Sequence, residues 1–502
     1  MKRLVLPQTV FDDLAAGRGG PQAGRLFVSA ARGRHLVLLK AVADATPSET
    51  AKDAFRALAR MHQAAPDRVD PVIRYPAVGA WALATLRAQN AGGAAQALPG
   101  GGDAQALHAG GDAQALPGGG DAQALGTGGD AQVLYGGGDA QALNGGGDAQ
   151  ALYGDADAQA LYAGGGAHSD RMAALAAAAA VRAGLPYETT LATGHGGLLL
   201  PSLGRALVDG PECRIEVGPD GARVTGARRR VEIPADPGRN VAGWQGLRVI
   251  TADHPAGTLR LLIDDLDPYR FVPGSTLAPR LSAWEITHWS TVIQDAWTIL
   301  RTHHSEVAEE IRALLSVVAP LTPTGWPASG TSRTTPGCVA LALPRDGLSL
   351  AATLVHEVQH AKLTGLFHLV DLVSLDSDRR YYAPWRQDPR PITGLLHGTY
   401  AHLGVAAFWR RQRHLHGGDA AHAEFVRWRD AAAETAQVIR DSAALTPLGH
   451  RFLDGMLATL QDLQHETVPD RATELAGLAA EEHRRRFERW TGRTPMDRPR
   501  PA

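Results

Sequence analysis

Cysteine is nearly absent from this chain: 502 residues contain two, Cys213 and Cys338, far apart and neither in a CxxC pair. A disulfide framework and a cysteine metal site are both excluded, and the two thiols are expected to be buried small hydrophobes. An excess of one charge is absent too. Fifty Lys and Arg face 52 Asp and Glu, so no global field draws in nucleic acid or an anionic membrane. The clusters Arg228, Arg229, Arg230 and Arg484, Arg485, Arg486 read as solvated faces. No stretch reaches the roughly 18 to 20 continuous apolar residues of a bilayer span. The opening run Met1-Lys2-Arg3-Leu4-Val5-Leu6 is stopped by Pro7 and followed by Asp12 and Asp13, which is not the pattern of a signal peptide. The expectation is a soluble, cytoplasmic protein with neither nucleic acid nor membrane as partner.

What is plentiful is glycine, and much of it lies in a tandem repeat. Asp103, Asp112, Asp121, Asp130, Asp139, Asp148 and Asp157 recur at a spacing of nine, as do the leucines from Leu98 to Leu161, on the unit Gly-Gly-Asp-Ala-Gln-Ala-Leu-x-Gly. The calcium-binding β-roll has the same period but needs a further glycine before its aspartate, and that glycine is missing here. One leucine per unit among entropically costly glycines buries too little surface to fold alone. Residues 93–166 are therefore expected to be a disordered or weakly ordered insertion, with a small solenoid as the alternative.

A chain this long predicts two or more subdomains. Residues 1–92 read as a helical N-terminal region, ahead of the insertion. Residues 167–275 read as a helix followed by a small β-sheet subdomain. Its strands are runs such as 213–217, 229–233 and 259–263, broken by Gly, Pro and Asp. From Ser282 the helical period returns, near 282–303, 305–318, 347–366, 392–416, 419–443, 447–464 and 469–491, with one strand over 337–344. Residues 276–495 thus form a helical catalytic domain. The fold class is α+β, mainly helical, with a small antiparallel sheet and a zincin-like helix.

That helix carries His356-Glu357-Val358-Gln359-His360. Ser349 is the expected cap, and four-residue spacing sets His356 and His360 one turn apart on one face, where both imidazoles can reach a single ion. Glu357 lies about 100° round the helix, where a peptidase keeps its general base. Two histidines and a glutamate on or beside an apolar face would be costly to bury without partners, which favours a metal.

The third ligand is less explicit. Metzincin-type proteases need glycine at 363 and histidine at 366, yet the chain has Leu363 and Leu366. The thermolysin-like class takes a later glutamate, and none occurs between Glu357 and Glu424. His368 lies roughly 12 Å along the helix from His360, too far to share an ion. His397, on a helix opened by Pro391 that can pack against the motif helix, is the favoured third ligand. His402 comes next, and one of Asp371, Asp376 and Asp378 after it. The bland reading makes His397 and His402 core residues bonded to backbone carbonyls.

Three segments together resemble the HExxH-motif peptide-modification proteins that accompany ribosomally made, post-translationally modified peptides: Thr353 to Leu363 around the motif, Tyr382-Ala383-Pro384-Trp385-Arg386-Gln387-Asp388-Pro389-Arg390-Pro391, and Gly394-Leu395-Leu396-His397-Gly398. The likeness extends to Leu262-Ile263-Asp264-Asp265-Leu266-Asp267-Pro268-Tyr269-Arg270 and the surroundings of Trp81, and so covers nearly the whole chain except the repeat. The resemblance implies an iron and α-ketoglutarate-dependent hydroxylase acting at the β-carbon of residues in a precursor peptide. Nitrogen and oxygen ligands with open positions suit Fe(II) as well as Zn(II). Such an enzyme needs a cation for the distal carboxylate of α-ketoglutarate, and Arg386 and Arg390 are the candidates, with a salt bridge to Asp388 or Asp378 as their structural alternative. Glu357 would then orient a ligand or the substrate instead of acting as a base. The competing readings are a zinc peptidase with Glu357 as base, and a scaffold in which the metal is only a staple.

Overall fold

The computed structural model describes residues 5–96, 165–194, 196–272, 275–322, 328–374, 379–416 and 418–492. Apart from the helix ends at 93–96 and 165–166, the repeat lies outside the described residues, as do Asp376 and Asp378.

The N-terminal region is helical as expected: α1 (Gln8–Ala15), α2 (Gly20–Ala45), α3 (Glu49–Ala64), α4 (Pro66–Ile73) and α5 (Pro76–Gln96). Chemistry at the ends explains the short turns between them. Ser48 accepts from Ala51 N to cap α3, and Pro66 and Pro76 each open a helix at the position where a missing N–H costs nothing. After α6 (Gly165–Ala183) the chain enters strands. Antiparallel β1 (Tyr187–Ala192), β4 (Glu212–Gly218), β5 (Gly221–Thr225) and β6 (Arg230–Ile233) form one sheet in that order. A three-stranded sheet joins β2 (Leu198–Leu200), β3 (Gly204–Ala206) and β7 (Trp244–Gly246). In β4 the inward residues Cys213, Ile215 and Val217 alternate with outward Glu212, Arg214 and Glu216, the period of a sheet covered on one face.

The single small sheet read from the sequence is thus three sheets, and the third is not purely antiparallel. It runs in the order β11 (Ser329–Thr331), β12 (Cys338–Ala342), β10 (Val317–Leu321), β9 (Leu259–Ile263), β8 (Arg248–Ala252). Its three central strands are parallel; β8 and β11 are antiparallel edges. The helix expected over 305–318 stops short for this reason. It ends as α8 (Ser305–Leu314), because Val317-Val318-Ala319-Pro320-Leu321 is buried throughout, and proline has no place inside a continuing helix. The boundary expected at residue 275 runs through this sheet, since β9 precedes it and β10 and β12 follow.

The remaining helices are α7 (Ala283–His303), α9 (Gly347–Phe367), α10 (Ile392–His416), α11 (Asp419–Asp441), α12 (Pro447–Gln464) and α13 (Asp470–Thr491). Ser282 and Glu285 close a reciprocal capping box on α7, and Thr446 caps α12 ahead of Pro447. The helix that bears the motif, α9, is capped by Asp346, whose carboxylate accepts from Ser349 N at 2.8 Å. Ser349 is therefore not the cap expected; the cap lies three residues earlier and the helix begins at Gly347, as the range 347–366 had it, because aspartate at 346 already satisfies a free N–H group. Helix α9 is buried on nearly every side, among α2, α7, α8, α10 and strand β11, which makes it the central helix of its core. No helix among the described residues is long and apolar enough to cross a membrane.

Candidate metal centre

Two helices supply the histidines. On α9 the Nε2 atoms of His356 and His360 stand 3.0 Å apart. Two nitrogens each about 2.0–2.1 Å from one ion would be about 2.9 Å apart at a right angle and about 3.4 Å apart at a tetrahedral one, so the pair has the reach of a shared ion. Facing them, α10 brings His402, whose ring centroid lies 5.0 Å from that of His356, and His397, 5.7 Å from His360. Four imidazoles therefore gather between α9 and α10, although sequence spacing indicated only two with certainty.

Small residues allow α10 to come this close. A Cβ at Gly404 would sit 2.3 Å from the Gln359 side chain of α9, and one at Gly398 would sit 2.4 Å from the indole of Trp385. The indole stacks on His402 at 4.4 Å and 18°, while Trp428 of α11 closes the other side at 4.5 Å. His402 Nδ1 lies 2.8 Å from the carbonyl of Gly398. A carbonyl only accepts, so Nδ1 is the donor and Nε2 of the neutral ring keeps its lone pair, the arrangement that orients metal-binding histidines elsewhere. His397 instead stacks on Phe367, 5.3 Å away.

Burial keeps all four rings neutral. It lowers His356 to about 4 and, with Arg333 and Arg390 nearby, His397 to about 3. His360 is held well below its ordinary range by burial and then by the neighbouring histidines; His402 is held there by burial and by His356, against the opposing bond to Gly398. Neutral imidazole is the form that binds a metal. The donor set thus fits a divalent transition ion in kind, and the pair His356 and His360 fits it in spacing. As the side chains stand, no group of three or more His, Cys, Asp or Glu among the described residues could hold a metal ion.

Glu357 is tied by one carboxylate oxygen to strand β11, and its other oxygen is buried without a hydrogen-bond partner. Its side chain is fully buried, and Ser329 Oγ on edge strand β11 donates to its Oε1 at 2.7 Å. Burial raises its carboxyl to about 7, against the lowering effect of Ser329 and Thr331. Arg386 and Arg390, both buried, converge on one carboxylate: Arg386 Nε donates to Asp388 Oδ1 at 2.7 Å and Arg390 Nη1 to Oδ2 at 3.1 Å. Burial alone would raise Asp388, but the two guanidiniums outweigh it and hold the carboxyl below its usual range. The salt-bridge alternative for these arginines is therefore present in the structure.

The other candidates are not brought together with the cluster. His368 caps the end of α9, 3.4 Å from Arg34 Nη1, and Asp371 is exposed with its backbone carbonyl bonded to Thr446. Residues that sequence reasoning did not select hold the site instead. Ser329 and Trp428 touch its members, as does Trp385, which the sequence already offered as a pocket-lining or core residue, and Glu424 accepts from Trp428 Nε1 at 2.8 Å, a contact that its i, i+4 place on α11 could have suggested. Ser329 sits in a three-residue strand with no periodic signal at all. No family model matches the chain, and no curated protein matches it.

Proposed function

We propose that the chain is a metalloenzyme in which His356, His360 and His402 hold a transition ion, with His397 beside them. We further propose that it hydroxylates residues of a ribosomally made precursor peptide in the cytoplasm. The observation that carries the metal reading is the meeting of four neutral imidazoles from α9 and α10, three of them buried and His356 half-buried, with the Nε2 atoms of His356 and His360 3.0 Å apart. Without a cation or a proton to share, so many buried nitrogens would be costly. His402 is preferred to His397 as third donor because Gly398 fixes its tautomer and two indoles fix its plane. The motif helix would on this reading be zincin-like in its use of His356 and His360.

The choice of oxygenase over peptidase rests on Glu357. A general base must reach the water it activates, whereas the one oxygen of this carboxyl that has a partner is held by Ser329. Bound Fe(II) with α-ketoglutarate and oxygen would supply the oxidising power for such a reaction. The chain's own part would be to place the peptide β-carbon, exclude water and anchor the keto acid. Arg386 and Arg390 are the proposed anchor, with Asp388 keeping their guanidiniums in plane until a second carboxylate joins them.

One observation favours the zinc peptidase: a carboxyl raised to about 7 is poised to take a proton near neutral pH. The two readings separate in one experiment. The protein purified without oxygen and loaded with Fe(II) is mixed with α-ketoglutarate, oxygen and its peptide. The hydroxylase releases succinate and adds about 16 mass units, one oxygen atom, without cleaving the chain. Zinc-dependent cleavage that needs neither α-ketoglutarate nor oxygen would establish the peptidase instead.

A further inference from the structure

A cavity of about 270 Å³ runs along the face of α9 formed by Ala361, Thr364, Gly365 and His368, round the helix from His356 and His360. Its other walls come from α2, from the chain after α4, from the end of α6 and from the turn between β11 and β12. Three arginines line it, Arg32, Arg74 and Arg182, and none of its lining residues among those described is acidic. Arg32 and Arg74 both pair with Asp70, so one carboxylate answers two cations. Arg182 has no ion pair among the described residues: it donates to the carbonyl of Ser202 at 3.0 Å, and its Nε is buried without a hydrogen-bond partner. The lining therefore carries a surplus of about two positive charges when Asp70 is set against the three arginines, by simple count of ionised groups.

The polar atoms here are also incomplete. The hydroxyls of Ser202 (4% exposed) and Thr335 (0% exposed) line the cavity, and neither has a protein hydrogen-bond partner among the described residues. Ser202 is held at φ 67°, a left-handed conformation uncommon for a residue with a side chain, which turns it towards this wall. Buried hydroxyls nearly always find partners, so two that line one cavity with an uncompensated guanidinium mark a place where a ligand's acceptor atoms complete the set. The positive lining continues past His368: Arg34 donates to the carbonyl of Arg333 at 2.6 Å, and neither arginine has a carboxylate within ion-pair distance among the described residues.

We propose that this cavity is a binding site for a small oxyanion, anchored by Arg182 and completed by the hydroxyls of Ser202 and Thr335, and separate from the histidine cluster. At about 30 Å³ for each water in the liquid, the space corresponds to about nine waters, room for a phosphate or a short carboxylate together with several waters. Both groups offer acceptor oxygens in the arrangement a guanidinium recognises.

The test uses the full-length protein with a chelator present, so that no metal contributes. Sodium phosphate and sodium succinate are titrated separately by calorimetry, with the thermal midpoint followed in parallel. Saturable binding of either anion, with a rising midpoint, supports the site, and the one preferred tells a phosphoryl ligand from a carboxylate one. Arg182→Gln should weaken that binding at least tenfold, and the near-isosteric Thr335→Val several-fold, at an unchanged circular dichroism spectrum. His356→Ala should bind the anion as the parent does, which separates this site from the metal centre. Failure of both anions to bind, or equal binding by Arg182→Gln, overturns the proposal. If Arg182→Gln does not fold, the Thr335→Val result decides in the same sense.

Discussion

Ser329 Oγ donates a 2.7 Å hydrogen bond to Glu357 Oε1, tying edge strand β11 to the helix that carries the histidines. The bond crosses 28 residues of sequence and joins a strand to the one carboxyl of the motif. Removal of the donor in Ser329→Ala leaves a fully buried carboxyl short of a partner, at a cost of on the order of 1–3 kcal/mol. Urea unfolding of the two proteins measures it. Glu357→Gln keeps an acceptor for Ser329 and should fold as well as the parent at neutral pH. A loss equal to that of Ser329→Ala would show that the charge, not the hydrogen bond, holds the strand.

Metal uptake should separate the two flanking histidines. His356→Ala and His360→Ala are each expected to abolish tight binding of Fe(II) or Zn(II), since an ion loses one of three protein donors. His402→Ala should do the same, whereas His397→Ala should keep near-normal stoichiometry by elemental analysis. The reverse pattern in the last two variants would assign the third donor to His397, the residue favoured on sequence grounds.

Gly398 tests how closely α10 must approach the indole of Trp385. A methyl group there would meet the indole of Trp385 at 2.4–2.5 Å, so the ring has to leave its stack on His402. Gly398→Ala is expected to cost about 1–3 kcal/mol, the range for overpacking a tight core. It should also shift tryptophan fluorescence and weaken metal affinity. Unchanged affinity would show that Trp385 does not position His402.

A buried acid distant from the metal centre should leave its mark on stability against pH. Asp264 accepts from Tyr75 and from the backbone of Leu266 and Asp267, yet burial, then the charge of Asp267, raises its carboxyl from 3.8 to about 7. A folded-state value above the unfolded one means that the native state holds the proton more tightly. Its contribution is complete below about 3.8 and is lost as pH rises towards 7. Asp264→Asn should flatten that fall in unfolding free energy while keeping the acceptor for the two backbone N–H groups. A slope unchanged between pH 4 and pH 7 would show that Asp264 does not cause it.

Local order was legible in the chain wherever local chemistry suffices. Ser282 with Glu285, the proline openings at 391 and 447, and the apolar period of the motif helix place α7, α10, α12 and α9 within a residue or two of their observed ends. Spacing of four on a helix puts His356 beside His360 whatever surrounds them. Strand pairing is a different matter, because β9 and β10 become parallel neighbours only when α7 and α8 between them fold back on the sheet, β12 reaches β10 by way of edge strand β11, and nothing in the run 259–263 records its partner.

The same division runs through the candidate site. Sequence by itself determined the helix, the two histidines one turn apart and the chemistry they can offer. Tertiary structure alone decided that His402 joins them between two indoles, that Glu357 turns to a serine 28 residues away, and that Arg386 and Arg390 share Asp388. The physical reason is that helix geometry depends on neighbours within four residues, whereas these contacts are set by which helices lie close enough to touch. Here that approach turns on the absence of a side chain at Gly404, where a methyl group would meet Gln359 of α9, and at Gly398, where it would meet the indole of Trp385.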